Sequence, residues 1–89
     1  MTHEGSKIRV ERTQLGVRME KRLVKVLKAL AEHHDMSLGD LLEGIVLHSF
    51  EGRSPFSPAA IERIGLLREF YGVDYDSSAS HRFVEENDT

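Results

Sequence analysis

The tightest grouping of metal-ligating side chains is His33-His34-Asp35. Neighbouring residues on a helix point about 100° apart, which is poor geometry for one ion. A histidine near a helix C-terminus is in any case favoured by the dipole alone. No metal and no cofactor are therefore expected. Serine, histidine and aspartate all occur, yet no spacing suggests a nucleophile–base–acid triad. A chain of 89 residues also leaves little room for a preorganised pocket, so the protein is not expected to be an enzyme. With no cysteine, disulfides cannot help to stabilise it. What remains is charge. Residues 1–28 carry eight Lys/Arg (Lys7, Arg9, Arg12, Arg18, Lys21, Arg22, Lys25, Lys28) against Glu4, Glu11 and Glu20, a net of +5. Residues 29–89 carry four against twelve acids, a net of −8. The overall charge of −3 hides a basic half and an acidic half.

The elements that must position these charges follow from periodicity. Ile8 and Val10 sit on even positions, whereas Leu15, Val17 and Met19 sit on odd ones. A change of parity swaps the face of a strand, so only Thr13–Met19 reads as one clean strand. Its apolar face is Leu15, Val17 and Met19, and its other face carries Gln14, Gly16 and Arg18. At Glu20 the period becomes helical, with Leu23, Val26, Leu27, Leu30 and Ala31 as a stripe. That helix should end at His33–Asp35, where aspartate tolerates a left-handed corner. Ser37 then reads as an N-cap with Asp40 three residues on. Leu38, Leu41, Leu42, Ile45, Val46 and Phe50 form the second stripe, which is wide for one small helix, and Gly52 stops it. Ser57-Pro58 opens a third helix through Ala60, Ile61, Ile64, Leu67 and Tyr71, ended by Gly72.

One short strand followed by two amphipathic helices, behind a basic N-terminus, resembles the ribbon-helix-helix repressors. Gln14-Leu-Gly-Val-Arg-Met19, Leu23–Ala31 and Ser37–Phe50 look most like the Arc repressor branch, without a gap over residues 14–52. The resemblance implies a mostly α fold with one short strand. Two chains would intertwine, pair their strands into a two-stranded antiparallel β-ribbon and add a C-terminal helix. It implies a dimer core of Leu15, Val17, Met19, Leu27, Leu30, Leu42, Val46 and Phe50. It also implies that the ribbon enters the major groove of DNA, with Gln14, Gly16 and Arg18 at the base-reading positions. Arg18 can pair with guanine and Gln14 with adenine in bidentate fashion. Backbone N–H groups at Ser37, Leu38 and Gly39 suit a phosphate, and Lys7, Arg9 and Arg12 would lie near the DNA backbone. Two positions depart from this pattern. Gly16 removes one reader, and Asp40 puts a negative charge beside the phosphate site. Met36, Leu41 and Ile45 fall where that branch buries an Arg–Glu–Arg triad. An apolar trio there is no argument against dimerisation or DNA binding, since buried charges can be replaced by apolar residues without loss of the dimer.

The expected organisation is a flexible basic arm (1–12), a ribbon-helix-helix domain (13–52), a linker with a C-terminal helix (53–72) and an acidic mobile tail (73–89). The expected partners are double-stranded DNA and a second copy of the chain, with tetramers on DNA left open. Three functions fit. One is a sequence-specific transcriptional repressor. Another is an antitoxin-like protein that binds DNA through its N-terminal half and a protein partner through residues 53–89. The third is a dimerisation scaffold that does not bind DNA. The polar N-terminus has no signal-peptide core, and no apolar run approaches the roughly 20 residues needed to cross a bilayer. A cytoplasmic protein is expected.

Overall fold

The computed structural model describes residues 7–86. Residues 1–6 of the expected arm and 87–89 of the expected tail lie outside the described residues. Three helices follow one another: α1 Lys21–His33, α2 Leu38–Phe50 and α3 Pro58–Tyr71, then a single 3-10 turn at Ser77–Ala79. Each helix starts on a side-chain oxygen. The Glu20 carboxylate accepts from the Arg22 amide at 3.2 Å, Ser37 Oγ from the Asp40 amide at 3.0 Å and Ser57 Oγ from the Ala60 amide at 3.1 Å. Pro58, at the first position of α3, loses nothing by having no N–H there.

The three ends share one device. Asp35, Gly52 and Gly72 are left-handed, with φ of 61°, 70° and 75°. In each case the left-handed residue donates its N–H to the carbonyl three residues back, and the next residue donates to the carbonyl five back. The pairs are Asp35→Glu32 with Met36→Ala31, Gly52→Ser49 with Arg53→His48, and Gly72→Glu69 with Val73→Arg68, all at 2.8–3.2 Å. These are Schellman motifs, which satisfy carbonyls that the helix itself leaves open. A buried Val73 completes the third one.

α1 occupies the centre and packs on both α2 and α3. The core is Leu30, only 1 % exposed, with Ala31 and Leu41; Leu27, Ile45, Phe56, Ile64 and Leu67 close around it. Val26 is buried as well, as its place in the α1 stripe requires. None of the described helices is long and apolar enough to cross a membrane.

The expected strand and ribbon are corrected by this architecture. The structure is all-helical, and no strand occurs among the described residues. Residues 7–19 lack regular structure and are exposed along their whole length. A strand exists only through ladder hydrogen bonds to a neighbour, and the alternation of Thr13–Met19 supplies a face but no such neighbour. Gly16 further weakens any strand preference. The intertwined β-ribbon dimer is therefore not the observed fold.

Leu30→Ala should lower the unfolding free energy by about 2–5 kcal/mol, because it removes the most buried side chain of the core and leaves a cavity. Gly72→Ala should cost about 1–2 kcal/mol through the left-handed φ, while Asp35→Gly should stabilise. Urea unfolding at one fixed protein concentration checks all three. A neutral Gly72→Ala would show that the α3 end is not built on that conformation.

Candidate nucleic-acid interface

The described basic side chains of the N-terminal half, residues 7–28, divide into three groups by what they touch. The first belongs to the extended segment. Lys7 and Arg9 are exposed, and so are Gln14, Gly16 and Arg18. Arg12 makes a bidentate contact to Glu43 on α2, with Nε donating at 2.8 Å and Nη2 at 2.7 Å. That pair raises the Arg12 pKa, through the hydrogen bond first and the opposite charge next, and lowers that of Glu43, through the hydrogen bond first and against the opposing effect of desolvation. Arg18 donates from Nε and Nη2 to the two carboxylate oxygens of Glu85. A Cβ on Gly16 would meet nothing within 4 Å, so packing does not require glycine there.

The second group lies on α1. Lys21, Lys25 and Lys28 are exposed and recur at i, i+4 and i+7, forming one stripe on the helix that begins three residues after Arg18. Among the described residues none of the three is in an ion pair. Lys25 Nζ lies 6.0 Å from the centroid of the Tyr71 ring, the outer limit of a cation–π contact. The sequence shows these lysines off the apolar stripe, but it does not show that they stay unpaired in an acidic protein.

The third group is pinned at the start of α1, and sequence reasoning missed it. Arg22 Nη1 donates to the Gly72 carbonyl at 2.7 Å, and Arg22 Nε to Glu20 at 3.2 Å. Its guanidinium stands 5.5 Å from the centroid of the Tyr75 ring. The Tyr75 hydroxyl donates to the other oxygen of Glu20, and Arg68 donates to the Tyr75 carbonyl. Tyr75 meets Phe83 edge to face at 5.1 Å. Val73 and Tyr75 thus pack at the start of α1, and Phe83 returns to Tyr75, where a solvated acidic tail was expected. The available signal was the apolar series Val73, Tyr75 and Phe83 inside the acidic stretch.

At the start of α2, Ser37 is an exposed cap, and the Leu38 and Gly39 amides have no acceptor within the helix. Asp40, exposed in the same first turn, adds a negative charge there. Of the residues expected in a dimer core, Leu30 is buried, and Leu27 and Leu42 are half-buried. Leu15 (73 % exposed), Val17, Met19, Val46 and Phe50 (81 %) are open to water in the single chain. Comparison with protein-family models, with curated proteins and with solved structures finds no match.

The Tyr75–Glu20 contact has two pH edges. The Tyr75 hydroxyl, above all, and the Arg22 groups hold Glu20 below the ordinary carboxylate value, against the opposing effect of burial. Because the folded pKa is lowered, this stabilisation is present above the unfolded carboxylate pKa and is lost as pH falls through the folded value. Tyr75 is pushed up from 10.0 to about 12, by partial burial first and by Glu20 second. Its contribution is complete below the unfolded tyrosine pKa and disappears as pH rises through about 12. Ultraviolet titration should show a late-ionising tyrosine that Tyr75→Phe removes. A profile unchanged by that substitution would refute the contact.

Proposed function

We propose that this protein is a cytoplasmic DNA-binding transcriptional regulator that acts as a homodimer, without catalytic activity or cofactor. The observation that carries the proposal is the exposed Lys21–Lys25–Lys28 stripe, in no ion pair among the described residues, continuing from the basic segment 7–18. With Lys7 and Arg9 these lysines make a track of five exposed cations outside any ion pair among the described residues, in a protein whose net charge is negative. Such a track neutralises phosphates and releases counterions, the sequence-independent part of DNA affinity. Gln14 and Arg18, on an exposed extended segment, are the side chains suited to read base edges. The α2 start, with Ser37, Leu38 and Gly39, is a further phosphate contact.

Pairing with a second copy is supported by the apolar side chains that one chain leaves in water. Leu47 and Phe50 on α2, and Leu66 and Phe70 (79 % exposed) on α3, join Leu15 and Val17. Leu66 and Phe70, at i and i+4, also favour a second reading in which residues 53–89 dock a different protein.

Duplex binding should weaken steeply with salt, and replacing Lys21, Lys25 and Lys28 by alanine should flatten that dependence by about one contact each. Arg18→Ala should instead cost about 1–3 kcal/mol at one base pair of a selected site. Fluorescence anisotropy with selected and scrambled duplexes distinguishes the two. If the wild-type protein binds neither duplex at low salt, DNA binding fails and the protein-docking reading takes its place. For the homodimer, the thermal midpoint should rise over a hundredfold range of protein concentration. A fixed midpoint with a monomeric sedimentation mass would exclude it.

A further inference from the structure

We infer that residues 73–86 form an autoinhibitory strap that delivers Glu85 to Arg18 and competes with DNA for that guanidinium; this rests on the DNA-binding proposal above. The strap is anchored at its near end. Val73 is buried, and the Gly72 carbonyl accepts from Arg22. The Tyr75 hydroxyl donates to Glu20, and its carbonyl accepts from Arg68. The turn that follows is shaped by Asp76, whose carboxylate accepts from the Ser78 amide at 3.0 Å and the Ser78 hydroxyl at 2.6 Å. Beyond it, Phe83 returns to the Tyr75 ring at 5.1 Å. The chain is thereby brought back beside the segment that precedes α1, and Glu85 meets Arg18 across 67 residues of sequence.

The two ends of the strap differ in what holds them. The anchor combines partly buried hydrogen bonds with apolar contacts, whereas the Arg18–Glu85 pair is 84 % and 64 % exposed. An exposed ion pair is weak and salt-screened. Such a pair does not clamp Arg18 permanently. It raises the local concentration of a competing carboxylate, as any tethered ligand does, and a duplex phosphate or guanine edge can displace it. The same geometry explains why the acidic half of this chain does not silence the basic half entirely. Glu85 engages one arginine and Glu43 another, while among the described residues the α1 lysines are in no ion pair.

The experiment uses the full chain and a fluorescein-labelled random duplex of about 20 base pairs at about 50 mM salt. Glu85→Gln should tighten binding roughly two- to fivefold, the range of one exposed ion pair. Glu86→Gln, the same charge change one residue away, should do much less. In an Arg18→Ala background the gain from Glu85→Gln should vanish, as a double-mutant cycle requires of a direct pair. Equal gains from Glu85→Gln and Glu86→Gln, or no gain in a wild-type background that binds DNA, would overturn the strap. If no variant binds the duplex, the DNA proposal fails and the competition fails with it. The contact itself is read without DNA, from the Arg18 side-chain Nε resonance. That resonance should move in Glu85→Gln and stay in place in Glu86→Gln; a stationary signal in both refutes the contact.

Discussion

Leu30 is where the three helices converge, and burying it commits α1 to the middle of the molecule. A helix so placed offers its apolar side to two neighbours, so its remaining surface must face water. That surface carries Lys21, Lys25 and Lys28. The same burial that assembles the core therefore displays the basic stripe, and neither is independent of the other. The core is small, however, with five buried apolar residues among the described ones, Val73 beyond the last α-helix included. A chain of this size gains little stability from such a core alone, which gives the exposed apolar side chains on α2 and α3 their importance.

Charge is organised by the same centre. The start of α1 is a junction where Glu20 caps the helix, receives the Tyr75 hydroxyl and pairs with Arg22. Three functions thus share one carboxylate. Cap, strap anchor and ion pair weaken together when Glu20 is protonated, although each would be modest alone. Arg12–Glu43 and Arg18–Glu85 then tie the extended segment to α2 and to the strap. A negative protein can in this way keep its cations in two states, some held by its own acids and some open.

Much of the helical framework was legible in the sequence. Ser37, Ser57 and Pro58 mark helix starts, and Asp35, Gly52 and Gly72 mark ends, because caps and left-handed corners depend on a few neighbouring residues. The apolar stripe of α1 likewise identified Val26, Leu30 and Ala31. The clean alternation of Thr13–Met19 misled for the opposite reason. Periodicity reports which face of a segment is apolar, whereas a strand also needs a partner backbone, and that is not a local property.

By itself the sequence determined helix boundaries, the division into a basic and an acidic half, and the shortage of a self-sufficient core. Only the tertiary structure decided which charges are neutralised and which stay open. Arg12 finds Glu43 across 31 residues, Arg18 finds Glu85 across 67, and Tyr75 finds Glu20 across 55. Ion pairs and hydrogen bonds at such separations follow from where packing carries the chain. Val73 is buried and Phe83 folds back onto Tyr75; the apolar residues in the acidic stretch signal that it packs, but not which partners it meets.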